Sequence, residues 1–156
     1  MPEELNRVIS DRLSDILFVP SDAAMKNLHK EGYLSMPTKL IRTGDVMLDA
    51  ARHYSTKITQ KATLKSEELP REFLLCTLHR AENTHDKAQL TLLVNALNHL
   101  SKQYAIVLPL HPGTAKKMHE FNLAFTFDTL APCGYFDMLL LLQKCSLVLT
   151  DSGGLQ

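Results

Sequence analysis

Phe73-Leu-Leu-Cys-Thr-Leu78, Asp86-Lys-Ala-Gln-Leu-Thr-Leu-Leu-Val-Asn-Ala-Leu-Asn-His-Leu-Ser-Lys102 and Ala105-Ile-Val-Leu-Pro-Leu110 follow one another in the chain, and their reading decides the fold. The outer two are short continuous apolar runs, the pattern of strands buried on both faces. The middle one is an amphipathic helix. Strand, helix and strand in that order predict a parallel pair with a helical crossover.

The same alternation extends in both directions. Upstream, residues 2–14 read as a helix, with Pro2 and two glutamates suited to its positive end and Leu5, Val8, Ile9 and Leu13 at helical spacing. Ile16 to Pro20 reads as a strand. Ser21-Asp22 caps a helix to about Lys30, and Gly32 ends it. Lys39 to Thr43 is a second strand, and Asp45 to about Ile58 a helix, with Met47-Leu48 read as core. Residues 59–70 are polar and unperiodic, hence a loop. Downstream, Pro112 to Phe121 is helical, Phe125 to Leu130 weakly extended, Phe136 to Lys144 a very apolar helix, and Leu147 to Thr150 a last strand. The fold class is therefore α/β, with parallel sheets covered on both faces. The chain shows no repeat at solenoid periods and no low-complexity tract.

Composition narrows the function. In 156 residues, 45% are hydrophobic and 22% charged, which does not suit a mainly disordered chain. The 17 basic and 17 acidic side chains cancel, so no basic footprint for nucleic acid is present. No apolar run reaches the roughly 18 residues of a membrane span, and Met1-Pro2-Glu3-Glu4 does not open as a signal peptide. Cys76, Cys133 and Cys145 form no C-x-x-C pair and read as free thiols of a reducing compartment, the cytoplasm. A first segment that opens straight into a helix, and a final strand and glycine turn with no helix behind them, lead us to expect a piece of a larger protein.

Open parallel sheets hold ligands beyond the carboxyl ends of their strands. Three motifs sit there. Thr77-Leu78-His79-Arg80-Ala81-Glu82-Asn83 places a titrating imidazole and a phosphate-type guanidinium after one strand, with Glu82 able to orient either. The same residues also suit a surface loop that caps the next helix. His111-Pro112 follows the next strand, where Pro112 opens a helix and His111 reads as a partly buried polar residue. Thr150-Asp151-Ser152-Gly153-Gly154 follows the last strand and suits either a tight turn or a phosphate cradle of main-chain N–H groups with a serine hydroxyl. Glu3 and Arg7 lie four apart on the first helix and read, on the residues alone, as an exposed ion pair. The remaining histidines make no metal-ligand pattern with the cysteines. No nucleotide fingerprint of the G-x-x-x-x-G-K-[ST] or G-x-G-x-x-G kind occurs. No metal and no cofactor are expected.

Taken in order, Pro2-Glu3-Glu4-Leu5-Asn6-Arg7, Asp11-Arg12-Leu13-Ser14-Asp15, Thr43-Gly44-Asp45, His79-Arg80-Ala81-Glu82-Asn83, His111-Pro112, Gly134-Tyr135 and Thr150-Asp151-Ser152-Gly153-Gly154-Leu155-Gln156 resemble the non-hydrolysing UDP-N-acetylglucosamine 2-epimerases along essentially the whole chain. The resemblance implies Rossmann-like parallel sheets of a glycosyltransferase-B-like two-domain fold, incomplete in this chain. Residues 1–42 would end the first domain, and 43–156 would begin the second, UDP-binding one. It implies interconversion of UDP-N-acetylglucosamine and UDP-N-acetylmannosamine, through loss of the C2 proton, expulsion of UDP and its re-addition, without metal or redox cofactor. Glu3, Arg7 and His79 match catalytic positions. Arg80, Glu82, His111, Ser152, Gly153 and Gly154 match substrate-binding ones. Further acid/base and ribose contacts of the family have no counterpart in the chain, so the chain alone is expected to be inactive, and the full-length parent to be a homodimer. A hydrolysing epimerase, a nucleotide-sugar glycosyltransferase of related fold and a degenerate non-enzymatic product are the competing readings. Leu139 to Leu142 would be the exposed sticky surface of such a piece.

Overall fold

The computed structural model describes residues 2–155, and all of their side chains except those of Pro2, Glu3 and Thr59. The chain forms two compact units, Met1–Tyr54 and Ser55–Gln156.

The first unit contains α1 (Pro2–Leu13), β1 (Ile16–Val19), α2 (Asp22–Lys30) and β2 (Lys39–Arg42), followed by α3 (Val46–Ser55), whose last residue belongs to the second unit. β1 and β2 pair in parallel from Ile16↔Lys39 to Val19↔Arg42, with α2 in the crossover. Ser21 starts α2 by accepting a hydrogen bond from the Ala24 amide at 3.1 Å. Beyond the helix Gly32 adopts φ 91°, a left-handed conformation that a side chain would oppose. Val19, Leu28 and Tyr33 form the buried centre, with Leu17, Met25 and Leu40 against it.

The expected helix α1 is present, but the core expected at Met47-Leu48 is not. Leu5, Ile9 and Leu13 of α1 are exposed, and so are Met47 and Leu48 of α3. Charge, not apolar packing, ties α1 down: the Arg7 guanidinium reaches Glu31 at 3.0 Å, and Arg12 donates to the Glu31 carbonyl at 3.1 Å while lying over the Tyr33 ring. The helix expected from Asp45 to Ile58 ends at Ser55, and a separate turn, α4 (Ile58–Lys61), follows.

The second unit continues with β3 (Leu74–Thr77), α5 (Ala81–Thr84), α6 (Lys87–Leu100), β4 (Ile106–Val107), α7 (Pro112–Phe121), α8 (Tyr135–Lys144) and β5 (Leu147–Thr150). Its sheet has the order β4-β3-β5, parallel throughout, with Leu74↔Ile106 on one side and Thr77↔Thr150 on the other. β3 is thus central, as its unbroken apolar run requires. Phe73, Leu75, Val107 and Leu141 form one core layer. A second forms from Cys76, Leu97, Ile106 and Leu108, and a third from Leu78, Leu90, Val94 and Met118. Asp86 caps α6 through the Gln89 amide at 2.8 Å.

The expected extended stretch Phe125 to Leu130 contributes only a bridge between Leu130 and Pro109. Its earlier polar groups are taken elsewhere: Asn98 of α6 accepts from the Thr126 amide at 2.8 Å and donates to the Ala124 carbonyl at 3.0 Å. Phe125 and Phe127 turn into the core instead. The sticky surface expected at Leu139 to Leu142 is also corrected. Leu139, Leu140 and Leu141 are buried, and Leu64 and Leu69, from the stretch read as a polar loop, pack on the same cluster as Leu141 and Leu142. Asp137 holds that stretch in place. It accepts from the Thr63 amide and hydroxyl, both at 2.6 Å, and from the Leu64 amide at 2.9 Å. No helix among the described residues is long and apolar enough to cross a membrane.

Candidate functional site at the strand ends

Parallel strands bring the loops after β3, β4 and β5 to one edge of the second unit's sheet. At the last paired position of β3 and β5, the hydroxyls of Thr77 and Thr150 meet at 2.7 Å. Immediately beyond, Asp151 joins the two loops. One carboxylate oxygen accepts from the His79 amide at 3.0 Å, the Arg80 amide at 2.8 Å and the Asn83 side chain at 3.1 Å. The other oxygen lies 3.1 Å from His79 Nδ1. Burial would raise the Asp151 pKa, but the bonds from Arg80, Asn83 and the His79 amide outweigh it and hold the carboxyl below its ordinary value. Asp151 is therefore an anion at neutral pH, and an ionised carboxylate only accepts hydrogen bonds.

Arg80 lies across the glycine turn: a Cβ on Gly153 would come 3.8 Å from its guanidinium. Ser152 starts that turn, its amide donating to Thr150 Oγ1 at 2.9 Å and its carbonyl accepting from the Leu155 amide at 3.3 Å. From the β4 side, the His111 ring stands 6.0 Å from that of His79, centroid to centroid. His111 caps α7, and its Nδ1 accepts from the Gly113 amide at 3.1 Å. Its proton therefore belongs on Nε2. Thr114 ties α7 to the loop after β3, donating at 2.6 Å to the Leu78 carbonyl from a buried position. His79, Arg80, His111, Ser152 and Gly153 thus share one bay, with Gly154 in the same turn.

Glu82 is exposed, and among the described residues it hydrogen-bonds neither His79 nor Arg80. The carboxylate beside His79 is Asp151, which sequence reasoning passed over within its own motif. Its signal was a carboxylate directly after one strand, one place short of the level of a histidine after the neighbouring one. Asn83, also quoted but given no role, completes the anchor.

Arg7 belongs to the first unit. Its guanidinium meets Glu4 at 2.7 Å, Asp11 at 2.8 Å and Glu31 at 3.0 Å. Hydrogen bonds to Glu4, then Glu31 and Asp11, raise its pKa above the ordinary arginine value. These four side chains line an open cleft of about 410 Å3 over Leu17 and Phe18. The side chain of Glu3 lies outside the described residues. Among the described residues no group of three His, Cys, Asp or Glu side chains is placed to hold a metal ion.

The fold defines an open parallel α/β protein, a class whose members hold ligands beyond the strand ends. Comparison with known proteins narrows that class. The model of the UDP-N-acetylglucosamine 2-epimerase family matches residues 1–156, and the chain belongs to this family. A UDP-2,3-diacetamido-2,3-dideoxy-D-glucuronate 2-epimerase of Pseudomonas aeruginosa is 45% identical, over 100% of this chain and 44% of its own length. A UDP-N-acetylglucosamine 2-epimerase of Methanococcus maripaludis is 37% identical, over 100% of this chain and 45% of its own. The crystal structure of the Methanocaldococcus jannaschii UDP-GlcNAc 2-epimerase in complex with UDP-GlcNAc and UDP matches with a TM-score of 0.85 and 31% identity, covering 99% of this chain and 45% of that one. The fold is accordingly the glycosyltransferase-B-like type, and the chain spans less than half the length of these relatives.

Proposed function

We propose that the strand-end bay holds the diphosphate of a UDP-sugar, and that the whole protein epimerises that sugar at C2. The observation that carries this reading is the Arg80 guanidinium lying against the Ser152-Gly153-Gly154 turn, with His79 fixed beside it by Asp151. A guanidinium and the N–H groups of a glycine turn suit a phosphate oxygen. In the reaction the C2 proton leaves to a base, and the C1–O bond breaks with its electron pair on UDP. UDP then re-adds to C1 of the unsaturated sugar as a proton returns to the opposite face of C2. Charge grows on the departing diphosphate, so fixed cationic and N–H donors lower that barrier. Arg80, Ser152, Gly153 and Gly154 bind the diphosphate, His79 stabilises its departure, and His111 and Glu82 are further substrate contacts through the resemblance. Glu3 and Arg7 enter the acid/base set through the resemblance alone. UDP-N-acetylglucosamine is the first substrate to test.

A second reading changes the sugar and keeps the reaction. The 45% identity to the Pseudomonas aeruginosa protein favours a 2,3-diacetamido uronate as the sugar of the UDP-sugar. C2 exchange in deuterium oxide, followed by NMR in a protein of the relatives' full length, separates the two. Deuterium entering one sugar and not the other identifies the substrate, and no exchange in either refutes the epimerase reading. UDP titration of the present chain tests the bay itself. We also assign the protein to the cytoplasm, which suits the free thiols of Cys76, Cys133 and Cys145. For the whole protein we propose a homodimer, testable by sedimentation equilibrium.

A further inference from the structure

We infer that Asp151 is a positioning residue, which locks His79 in the Nδ1–H tautomer and so reserves Nε2 for the ligand in the bay. The inference rests on the reading of His79 as a ligand-facing group. Its geometry stands on its own. Asp151 accepts hydrogen bonds from two main-chain amides and the Asn83 amide nitrogen, and it lies 3.1 Å from His79 Nδ1. The oxygen that takes those bonds is not the one that meets the imidazole, and an ionised carboxylate, which only accepts, favours a proton on the ring nitrogen that faces it. With its amide bonded to Asp151 and its ring in contact with it, His79 can neither turn its ring over nor exchange tautomer without giving up the 3.1 Å approach of Nδ1 to an anion. The Asp151 side chain is 9% exposed, whereas that of His79 is 41% exposed, so the anchor is dry and the working edge is open. Among the described residues Nε2 of His79 has no hydrogen-bond partner, and the nearby His111 carries its proton on the other nitrogen.

Asparagine at 151 breaks this arrangement while keeping its shape. It has one accepting oxygen, and its NH2 would confront one of the donors. The test is long-range 15N–1H NMR of the histidines at a pH where both rings are neutral, with His111 as internal control. The wild-type chain is expected to show His79 as Nδ1–H and His111 as Nε2–H. In Asp151→Asn, His79 should lose the Nδ1–H pattern while His111 keeps its own. UDP affinity of that variant should fall about tenfold, as expected when a charge-assisted contact is lost. A wild-type His79 found as Nε2–H overturns the inference, and so does a folded Asp151→Asn that retains Nδ1–H. If that variant fails to fold, the wild-type spectrum alone still decides. A wild-type chain that binds no UDP refutes the phosphate reading of the bay and leaves the tautomer result standing.

Discussion

Replacing Asp137 by alanine should unfasten the stretch that covers α8. The carboxylate is 8% exposed and accepts three hydrogen bonds, two of them from main-chain amides. Bonds to a charged partner are each worth about 1.5–3 kcal/mol, but water reaches part of Thr63 and Leu64 and recovers some of that loss. A net cost of about 3 kcal/mol follows, a little over two decades in the unfolding equilibrium. Asp137→Asn should cost roughly half as much, because its oxygen still serves the two amides and its NH2 can donate to the Thr63 hydroxyl. The chain has no tryptophan, so amide hydrogen exchange at Leu75, in the central strand, is the suitable readout. It should quicken about 100-fold in Asp137→Ala, with still faster exchange at Thr63 and Leu64. Burial would raise the Asp137 pKa, yet the bonds from Leu64 and Thr63 hold it below the ordinary value. A depressed folded-state pKa contributes stability above the unfolded-state value of about 3.9 and loses it as pH falls through the folded one. The difference between wild type and variant should thus be constant at neutral pH and shrink below about pH 4. An exchange rate at Leu75 unchanged within about twofold at neutral pH would refute the anchor.

Cys76 is buried, and burial, with the nearby Asp151 charge, pushes its thiol up to about 12. Mild alkylation should therefore mark Cys133 and Cys145 and spare Cys76 until the chain unfolds; equal labelling of all three would contradict the packing. Thr114→Val removes the buried hydroxyl that meets the Leu78 carbonyl. A loss of about 1–2 kcal/mol in chemical denaturation is expected, with shifted NMR signals at His79. Arg80→Ala should lose UDP affinity by about tenfold or more while thermal unfolding stays within a few degrees of wild type; an unchanged titration would remove Arg80 from the phosphate site. In a full-length active enzyme, His79→Ala and Glu3→Gln should each lower kcat sharply with little effect on folding, and wild-type turnover would take that residue off the reaction.

The parts of the fold legible in the sequence are those where one periodicity dominates. Pro112 to Phe121 and Leu147 to Thr150 appear with the bounds expected, since Pro112 fixes one start and an unbroken apolar run fixes the other. The misses share a cause: a side chain far away in sequence satisfies groups that local pattern cannot account for. Asn98 takes the amide of Thr126 and leaves no strand there. Asp137 recruits Thr63 and Leu64, so a stretch that reads as solvent-facing becomes the lid on Leu141. Ser55 ends its helix with neither glycine nor proline to announce it. In the bay, the histidines, arginine and glycines that the structure brings together were legible because each directly follows an apolar strand of an α/β pattern. Asp151 was harder to see, because its work is done inward, on main-chain amides of another loop.

The one-to-one register of β3 and β5 has a consequence for how this chain can vary. Leu74 through Thr77 stand opposite Leu147 through Thr150, and His79 meets Asp151 because both strands end in step. Substitutions along β3 alter packing by degrees. A single residue gained or lost there would exchange the faces of Leu75 and Cys76 and move His79 one place along the ladder. The bay therefore tolerates changes of spelling in its central strand far better than changes of reading frame, and length between Phe73 and His79 is the quantity its chemistry holds fixed.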